Sequence, residues 1–365
     1  MKLNEIIETL EKISPTANKE QYDNCGLIIG NKNIICSGII CALDVTEDVV
    51  LEAKKKNCNV IIAHHPIIFN GLKKINGDNY VEKAIIAAIK NDIAIYAIHT
   101  NLDNMIYGVN STIADRLGLI NRTVLAPKAN LLTKLFTFVP VNHAEKIKNA
   151  LFEAGAGNIG NYSECSFSVE GKGTFNAGEN TNPFVGKTGS RHIEKELKIE
   201  VVFPAYLQKK IVAALLAAHP YEEVAYDLVA LSNSYETVGS GLLGDLPQAV
   251  DETIFLAQIK AAFALHAIKH TGLTGKKVKK VAVCGGAGSF LIKNAVAAGA
   301  DFYVTADVKY HEFFDAEGKL VIADIGHWES EQFTPDLLIG VLKANFPTFA
   351  VLKSEVNTNP VKYFT

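Results

Sequence analysis

The chain has 365 residues, of which 48% are hydrophobic and 21% charged, and its formal net charge is −3. This length exceeds what one hydrophobic core usually holds, so two or three domains are expected. The slight acidity provides no electrostatic footprint for nucleic acid, and no apolar run approaches the ~20 residues that span a bilayer.

The start of the chain and its cysteines favour a cytoplasmic protein. The opening "MKLNEIIETLEKI" is typical of an acidic amphipathic helix and not of a signal peptide. The 6 cysteines are dispersed and include no Cys-x-x-Cys pair. This pattern excludes zinc-finger chemistry and predicts reduced, structural thiols.

From Ile34 to about Leu117 the pattern alternates between strand and helix. Strands are predicted in "IICALDV", "NVIIAHH" and "IAIYAIHT", and helices in "EDVVLEAKKKNC" and "YVEKAIIAAIKND". This rhythm predicts βαβ units and a mainly parallel sheet. We assign residues 1–130 to this first lobe.

Residues 131–233 have a different order of predicted strands and helices from the first lobe. They are predicted to be an inserted domain with its own core. The strand "KLFTFVPV" and the helix "HAEKIKNALFEAG" precede a Gly/Asn/Ser-rich stretch typical of a hairpin and loop. A strand, a helix and a strand follow in "KELKIEVVFP", "YLQKKIVAALLAAH" and "EVAYDLVAL". The order β-α-β-β-α-β is that of an α+β ferredoxin-like module.

The last region, residues 234–365, repeats the rhythm of the first. Strands are predicted in "KKVAVCG", "DFYVTAD" and "KLVIADIG", and in each half two strands have His or Asp at or just beyond their carboxyl ends. Ligands of open α/β sheets collect beyond the carboxyl ends of strands. The expected fold class is α/β: two pseudo-repeated lobes form one metal-binding domain, which the ferredoxin-like module interrupts.

The stretch "VIIAHHPIIFN" ends a predicted core strand in two adjacent histidines, His64 and His65. Adjacent side chains of a strand point to opposite faces, so one interpretation leaves one histidine in the core and the other in solvent. Pro66, however, cannot donate to a sheet and marks the end of the strand. Beyond that point both imidazoles can turn into one cleft.

Two further motifs contain residues of metal-ligand type. "HTNLD" ends in Asp103, whose alternative role is helix capping or an Asx-turn. "IGHWESEQ" contains His327 and Glu331, which share one face if the segment is helical; a surface polar pair is the alternative. Together with His64 and His65, these residues all follow strand ends, where a shared cleft would form.

Five ligands exceed the three that a catalytic zinc typically uses. Imidazole and carboxylate without thiolate suit Zn, Mn, Fe, Co or Ni. Because a carboxylate can bridge two ions, the set His64, His65, Asp103, His327 and Glu331 predicts two divalent metal ions with a bridging water or hydroxide.

Three other residues, His99, Asp307 and His311, are candidates to support these ligands or to transfer protons; the alternative is that they are ordinary polar residues. "CGGAGS", Cys284 to Ser289, follows a strand and precedes a helix, but Leu291 replaces the third glycine of G-x-G-x-x-G. We therefore predict a tight turn there and no dinucleotide cofactor.

Taken together, the motifs resemble the NGG1-interacting factor-three-like family of dinuclear metal centre proteins, also known as GTP cyclohydrolase I type 2 homologues. The motifs are "YDNCGLIIG", "HHPIIF", "HTNLD", "HPYEEVAYD", "VCGGAGS" and "GHWESE". The resemblance implies that His65 and Asp103 hold one metal, that His64 and His327 hold the other, and that Glu331 bridges them. It also implies a toroidal homohexamer and an insert similar to nitrogen-regulatory and copper-tolerance proteins.

Two functions follow as expectations. The first is a metal-dependent hydrolase with Glu331 as catalytic residue, in which a metal-activated bridging water attacks a nucleotide or another phosphorylated or cyclic-amide substrate. The second is a non-catalytic regulatory or metal-handling hexamer whose insert senses a small-molecule effector. The long Gly-rich loop, Gly155 to Gly189, favours the second. Membrane and nucleic-acid partners are not expected.

Overall fold

The computed structural model describes residues 1–364, which form two compact units. The larger unit contains Met1–Ala126 and the chain from Thr237 onward, and the smaller is Pro127–Glu236. The corresponding boundaries predicted from the sequence lie after residues 130 and 233. No helix within residues 1–364 is long and apolar enough to cross a membrane.

The first part of the larger unit alternates strands with helices. Its strands are β1 (Gly26–Ile29), β2 (Ile39–Ala42), β3 (Val60–Ala63), β4 (Ala94–Ala97) and β5 (Ile120–Ala129). Its helices are α1 (Leu3–Ile13), α2 (Glu47–Lys55), α3 (Tyr80–Lys90), α4 (Thr100–Asp103) and α5 (Val109–Arg116). The side chains of Thr46 and Asn79 accept backbone hydrogen bonds at the starts of α2 and α3, which fixes where these helices begin.

The smaller unit contains one antiparallel sheet and two helices. Its elements are β6 (Leu132–Pro140), α6 (Ala144–Ala154), β7 (Phe167–Asn176), β8 (Arg191–Pro204), α7 (Gln208–Ala218) and β9 (Tyr226–Leu231). The strand order is β7-β8-β6-β9. Leu135, Ile147, Ile199 and Leu215 belong to a buried cluster between the sheet and the helices. The unit therefore has its own core and the β-α-β-β-α-β element order that the sequence predicts.

The second part of the larger unit completes the fold. Its strands are β10 (Ser234–Asp251), β11 (Lys269–His270), β12 (Lys277–Ala287), β13 (Phe302–Ala306), β14 (Val321–Asp324) and β15 (Val351–Lys353). Its helices are α8 (Glu252–Ala262), α9 (Ile292–Ala297), α10 (His327–Glu331) and α11 (Thr334–Asn345). Pro335 lies in the first turn of α11, where its missing N–H costs no hydrogen bond.

Two sheets form the larger unit, and each contains a strand from the other half of the chain. Their orders are β1-β4-β3-β2-β15 and β11-β14-β13-β12-β10-β5. β15 pairs in parallel with β2, and β5 lies at the edge of the second sheet. The sheets therefore do not follow the predicted division into residues 1–130 and 234–365, because an open sheet edge accepts a strand from any part of the chain.

Parallel strands in both sheets bring their carboxyl ends to a common region. β2, β3 and β4 are mutually parallel, as are β12, β13 and β14. In the first sheet, alternate side chains such as Ile61 and Ile62 pack into different apolar clusters, so these strands are buried on both faces. The polar residues that follow β3, β4, β13 and β14 are thus held by rigid strands.

Candidate metal centre

His64 and His65 directly follow β3, and both imidazoles turn into one site, with ring centroids 4.9 Å apart. His64 is fully buried, and its Nδ1 lies 2.8 Å from the carbonyl oxygen of Ile98. His65 Nδ1 lies 2.7 Å from Asp44 Oδ1. When each Nδ1–H donates to its oxygen, each Nε2 carries the lone pair that a metal ion requires.

Glu331, the last residue of α10, places one buried carboxylate between these histidines. Its Oε1 lies 3.8 Å from His64 Nε2, and its Oε2 lies 3.0 Å from His65 Nε2 and 3.2 Å from His327 Nε2. His327 begins α10, so the i, i+4 spacing places it on the same helical face as Glu331. The two oxygens of Glu331 therefore face different imidazoles.

Asp103 approaches His64 from the end of α4, with Oδ1 3.5 Å from His64 Nε2. Both atoms are buried, and neither has a hydrogen-bond partner among the residues that the structure describes. Buried polar atoms are costly unless they are satisfied. The lone pairs of an imidazole and a carboxylate that converge in this way suit a divalent metal ion, so the residues present fit such an ion.

Among residues 1–364, ligand atoms within 4.8 Å of one another form three groups. The first contains His64, Asp103 and Glu331, and the second contains His65, His327 and Glu331. The third joins His99 to His64 and His65. Because Glu331 belongs to the first two groups, it occupies the place of a carboxylate that could bridge two ions.

This grouping differs from the pairing that the resemblance implies. His64, and not His65, lies in the group of Asp103, whereas His65 Nε2 lies 3.3 Å from His327 Nε2. The reason is that the Nδ1 atoms of the two imidazoles are held by different partners. His64 turns into the interior, where Ile98 anchors it, and His65 turns toward Asp44 and α10.

Burial and mutual charge shift the pKa values of these residues. Burial and the charge of Glu331 raise the pKa of Asp103 to about 7. Burial disfavours the ionised form of Glu331 as well, but hydrogen bonds from imidazoles, foremost His327, keep its pKa well below the usual value. Burial also opposes the charge on His65 and His327, yet their hydrogen bonds to carboxylates raise the pKa values to about 9 and about 11. A cation must displace these protons in order to bind.

Carboxylates also form hydrogen bonds with the Nδ1 atoms of His327 and His99. Asp307 Oδ2 lies 2.7 Å from His327 Nδ1, and this hydrogen bond lowers the pKa of Asp307. His99 Nδ1 lies 2.9 Å from Asp23 Oδ1. Such partners fix the ring orientation of a histidine and the nitrogen that carries its proton.

The structure places His311 away from these residues. It lies in a short 3-10 helix, Tyr310–Ala316, is exposed, and contacts the rings of Tyr310 and Phe314. Within the described chain it belongs to none of the three groups. The chain leaves β13 through Asp307 in the left-handed conformation, with φ of 52°, and the following 3-10 helix carries His311 to the surface.

The "CGGAGS" segment contacts Glu331 through its backbone. Gly285 and Gly286 belong to β12, near a register shift against β13, so the segment ends a strand and is not the predicted tight turn. Gly286 has φ of +61°, and a Cβ there would lie 2.5 Å from Glu331 Oε1. Its N–H donates to Ser330 Oγ at 2.9 Å. The close approach of Glu331 therefore explains glycine at this position.

Three supporting residues were not predicted from the sequence: Asp44, Asp23 and Thr358. Asp44 lies just beyond β2, the parallel neighbour of β3, and Thr358 Oγ1 donates to its Oδ2 at 2.6 Å. A carboxylate just past a buried strand was a signal that could have identified Asp44. Nothing in the sequence indicates that Thr358, 314 residues from Asp44, reaches this site.

Comparison with known proteins identifies the family to which the sequence is related. The profile of DUF34/NIF3 (NGG1p interacting factor 3) matches residues 1–360. The "GTP cyclohydrolase 1 type 2 homolog" of Halalkalibacterium halodurans is 42% identical over 98% of both chains, and that of Bacillus subtilis is 38% identical over 98% of both.

A solved structure supports the same assignment. The crystal structure of a Bacillus cereus protein related to NIF3 has a TM-score of 0.87 and 42% identity, and the match covers 100% of this chain and 99% of that one. The family profile, the sequence relatives and this structure agree over nearly the whole length. The chain belongs to the DUF34/NIF3 family.

Proposed function

We propose that the chain is a dinuclear metal-dependent hydrolase. His64 and Asp103 would hold one divalent ion, His65 and His327 the other, and Glu331 both. The observation that carries this proposal is the placement of Glu331, whose two oxygens face the two ligand groups separately. Three protein ligands per ion are fewer than the four of a closed structural zinc site, which leaves room for water or substrate. The donors suit Zn, Mn, Fe, Co or Ni.

A bound pair of such ions lowers the pKa of a water molecule and stabilises both the attacking and the leaving oxygen of a displacement. Other residues of the chain orient the side chains that would hold these ions. Asp44 and Asp307 hold the Nδ1 atoms of His65 and His327. Asp23 holds His99 Nδ1, which orients this ring beside His64 and His65. Glu331 is the catalytic residue of this proposal because it would hold both ions.

Two exposed rings beside the site favour a substrate that contains a planar base. Tyr22 is 66% exposed and Phe69 45%, with ring centroids 6.2 Å apart, and Phe69 lies 6.4 Å from the ring of His99. Nucleic-acid bases stack on aromatic side chains of this kind. The name of the relatives also points to a nucleotide. We propose a nucleotide substrate, with other phosphorylated or cyclic-amide compounds as further classes.

The test is an activity assay of metal-reconstituted protein against nucleotides, phosphoesters and cyclic amides. We expect turnover by the wild type and none by Glu331→Gln, because an amide cannot donate two anionic oxygens. The control is Glu317→Gln, which changes an exposed glutamate that pairs with Lys319 in the same half of the chain. Full metal content without turnover on any substrate would contradict the hydrolase.

A second candidate function is a non-catalytic regulatory or metal-handling homohexamer in the cytoplasm. The observation that favours it is a cleft of about 660 Å³ in the smaller unit, which is large enough for a small-molecule effector. Water exchange at the metals, measured by proton relaxation of the Mn-loaded protein, separates the two functions. Rapid exchange favours the hydrolase, whereas ions that bind no exchangeable water favour the regulatory assembly.

A further inference from the structure

The cleft of the smaller unit lies on the sheet face that points away from the two helices. Leu197 and Ile199 of β8 pack into the core, so the alternate residues Glu196 and Lys198 face the opposite side. The cleft is lined by β6, β7 and β8, by the loop that contains Pro183 to Val185, and by the segment around Tyr221. Its volume, about 660 Å³, is within the range of small-molecule sites.

Glu196 is a buried carboxylate in this cleft, with only 8% of its surface exposed. Its Oε1 accepts a hydrogen bond from the Tyr221 hydroxyl at 2.8 Å. Its Oε2 lies against Gly173, where any side chain would collide with it. Glycine in β7 therefore makes room for this carboxylate.

No cation of the described chain neutralises Glu196. Lys198, on the same sheet face, pairs instead with Glu200 at 2.9 Å, and its Nζ lies 4.3 Å from the ring centre of Phe136. Burial and the contact with Glu196 raise the pKa of Tyr221, so this donor remains a neutral hydroxyl. A buried carboxylate with one neutral partner is costly unless a cation joins it.

Aromatic rings surround the space beside Glu196. The ring centres of Phe175 and Phe184 lie 6.4 and 6.2 Å from that of Tyr221, and Phe138 also lines the cleft. The faces of such rings attract organic cations that come within about 6 Å of the ring centre. A carboxylate among several rings is the chemistry that recognises an ammonium group.

We propose that this cleft binds a small organic cation, whose ammonium group pairs with Glu196 among the rings of Phe175, Phe184 and Tyr221. The volume exceeds that of a simple ammonium ion, so the ligand has an apolar body as well. This site lies wholly within the smaller unit and uses none of the metal-centre residues. The proposal is therefore independent of the proposed hydrolase.

The test is calorimetric titration of the full-length protein with choline and with its uncharged carbon isostere, dimethylbutanol. We expect choline to bind and the isostere to bind at least about tenfold more weakly, because only choline carries the charge. Glu196→Gln should weaken choline about tenfold or more, whereas Glu145→Gln, on the exposed surface of α6, should not. Phe184→Leu, in an exposed loop, should weaken choline without affecting folding.

Three outcomes would overturn the proposal. They are equal binding of both probes, unchanged binding of choline by Glu196→Gln, and no binding of choline by the wild type. Sedimentation velocity of the same variants identifies the cause in the last case. If Glu196→Gln alters the oligomeric state, a second copy of the chain occupies the cleft in place of a free ligand.

Discussion

Replacing Gly286 by alanine tests whether the backbone of β12 positions the shared carboxylate. The new Cβ would lie 2.5 Å from Glu331 Oε1 and 3.3 Å from His327 Cε1. Ordinary contacts of a Cβ begin at 3.4 Å, so the carboxylate has to move by about 0.9 Å (3.4 − 2.5) in a packed interior. The φ of +61° adds strain of about 1–2 kcal/mol for any L-residue.

A metal ion tolerates little of this displacement, because metal–ligand distances hold to within about 0.2 Å. Oε1 is the oxygen that faces His64, in the group that also contains Asp103. The ion proposed for that group should therefore lose a ligand. We expect its affinity to fall about 10–100-fold, which corresponds to about 1.4–2.8 kcal/mol.

Gly299→Ala is the matched control, because Gly299 has φ of +69° and open space around its Cβ. Both variants should lose about 1–2 kcal/mol in urea unfolding, since both place alanine in the left-handed region. Only Gly286→Ala should bind metal more weakly in titrations against a competing chelator. Equal metal affinity in the two variants would refute the placement of Glu331.

Asp307→Asn weakens the hydrogen bond to His327, so metal affinity in the same titration should fall about 10–100-fold while unfolding free energy changes by no more than about 0.5 kcal/mol. Thr358→Val removes the hydroxyl that holds Asp44 and should lower metal affinity, whereas Thr358→Ser should retain it. Leu215→Ala should reduce the unfolding free energy of the smaller unit by about 2–5 kcal/mol, while elemental analysis finds the wild-type number of metal ions.

Each of these predictions has an outcome that would contradict it. Unchanged metal affinity in Asp307→Asn would mean that His327 needs no orienting carboxylate. Equal affinity in the valine and serine variants would remove Thr358 from the support of Asp44. Loss of metal in Leu215→Ala would show that the core of the smaller unit supports the metal centre.

Local patterns were sufficient to predict the strands that precede the candidate site and the residue types that follow them. The strand that ends in His64 and His65 was predictable because a β-branched run followed by proline defines both the strand and its end. The helical spacing of His327 and Glu331 predicted their shared face, and α10 has both at its ends.

Contacts between distant parts of the chain were beyond such patterns. His65 and Glu331 are 266 residues apart, and no local pattern states which oxygen faces which imidazole. For His311 the sequence left two roles open, a supporting residue or an ordinary polar one. The left-handed turn at Asp307, which sets the course of the following 3-10 helix, was not predicted from the sequence.

The sequence by itself determined the element order of the smaller unit, the alternation of strands and helices around the candidate site, and the presence of imidazole and carboxylate at the strand ends, because short-range periodicity encodes these features. The tertiary structure alone decided that His64 joins Asp103, that His65 joins His327, and that β5 and β15 pair outside their own halves. The physical reason is that packing and hydrogen bonds between distant segments select side-chain directions and sheet edges. One side-chain direction or sheet edge becomes more favourable than another only when the distant segments are in contact in the folded chain.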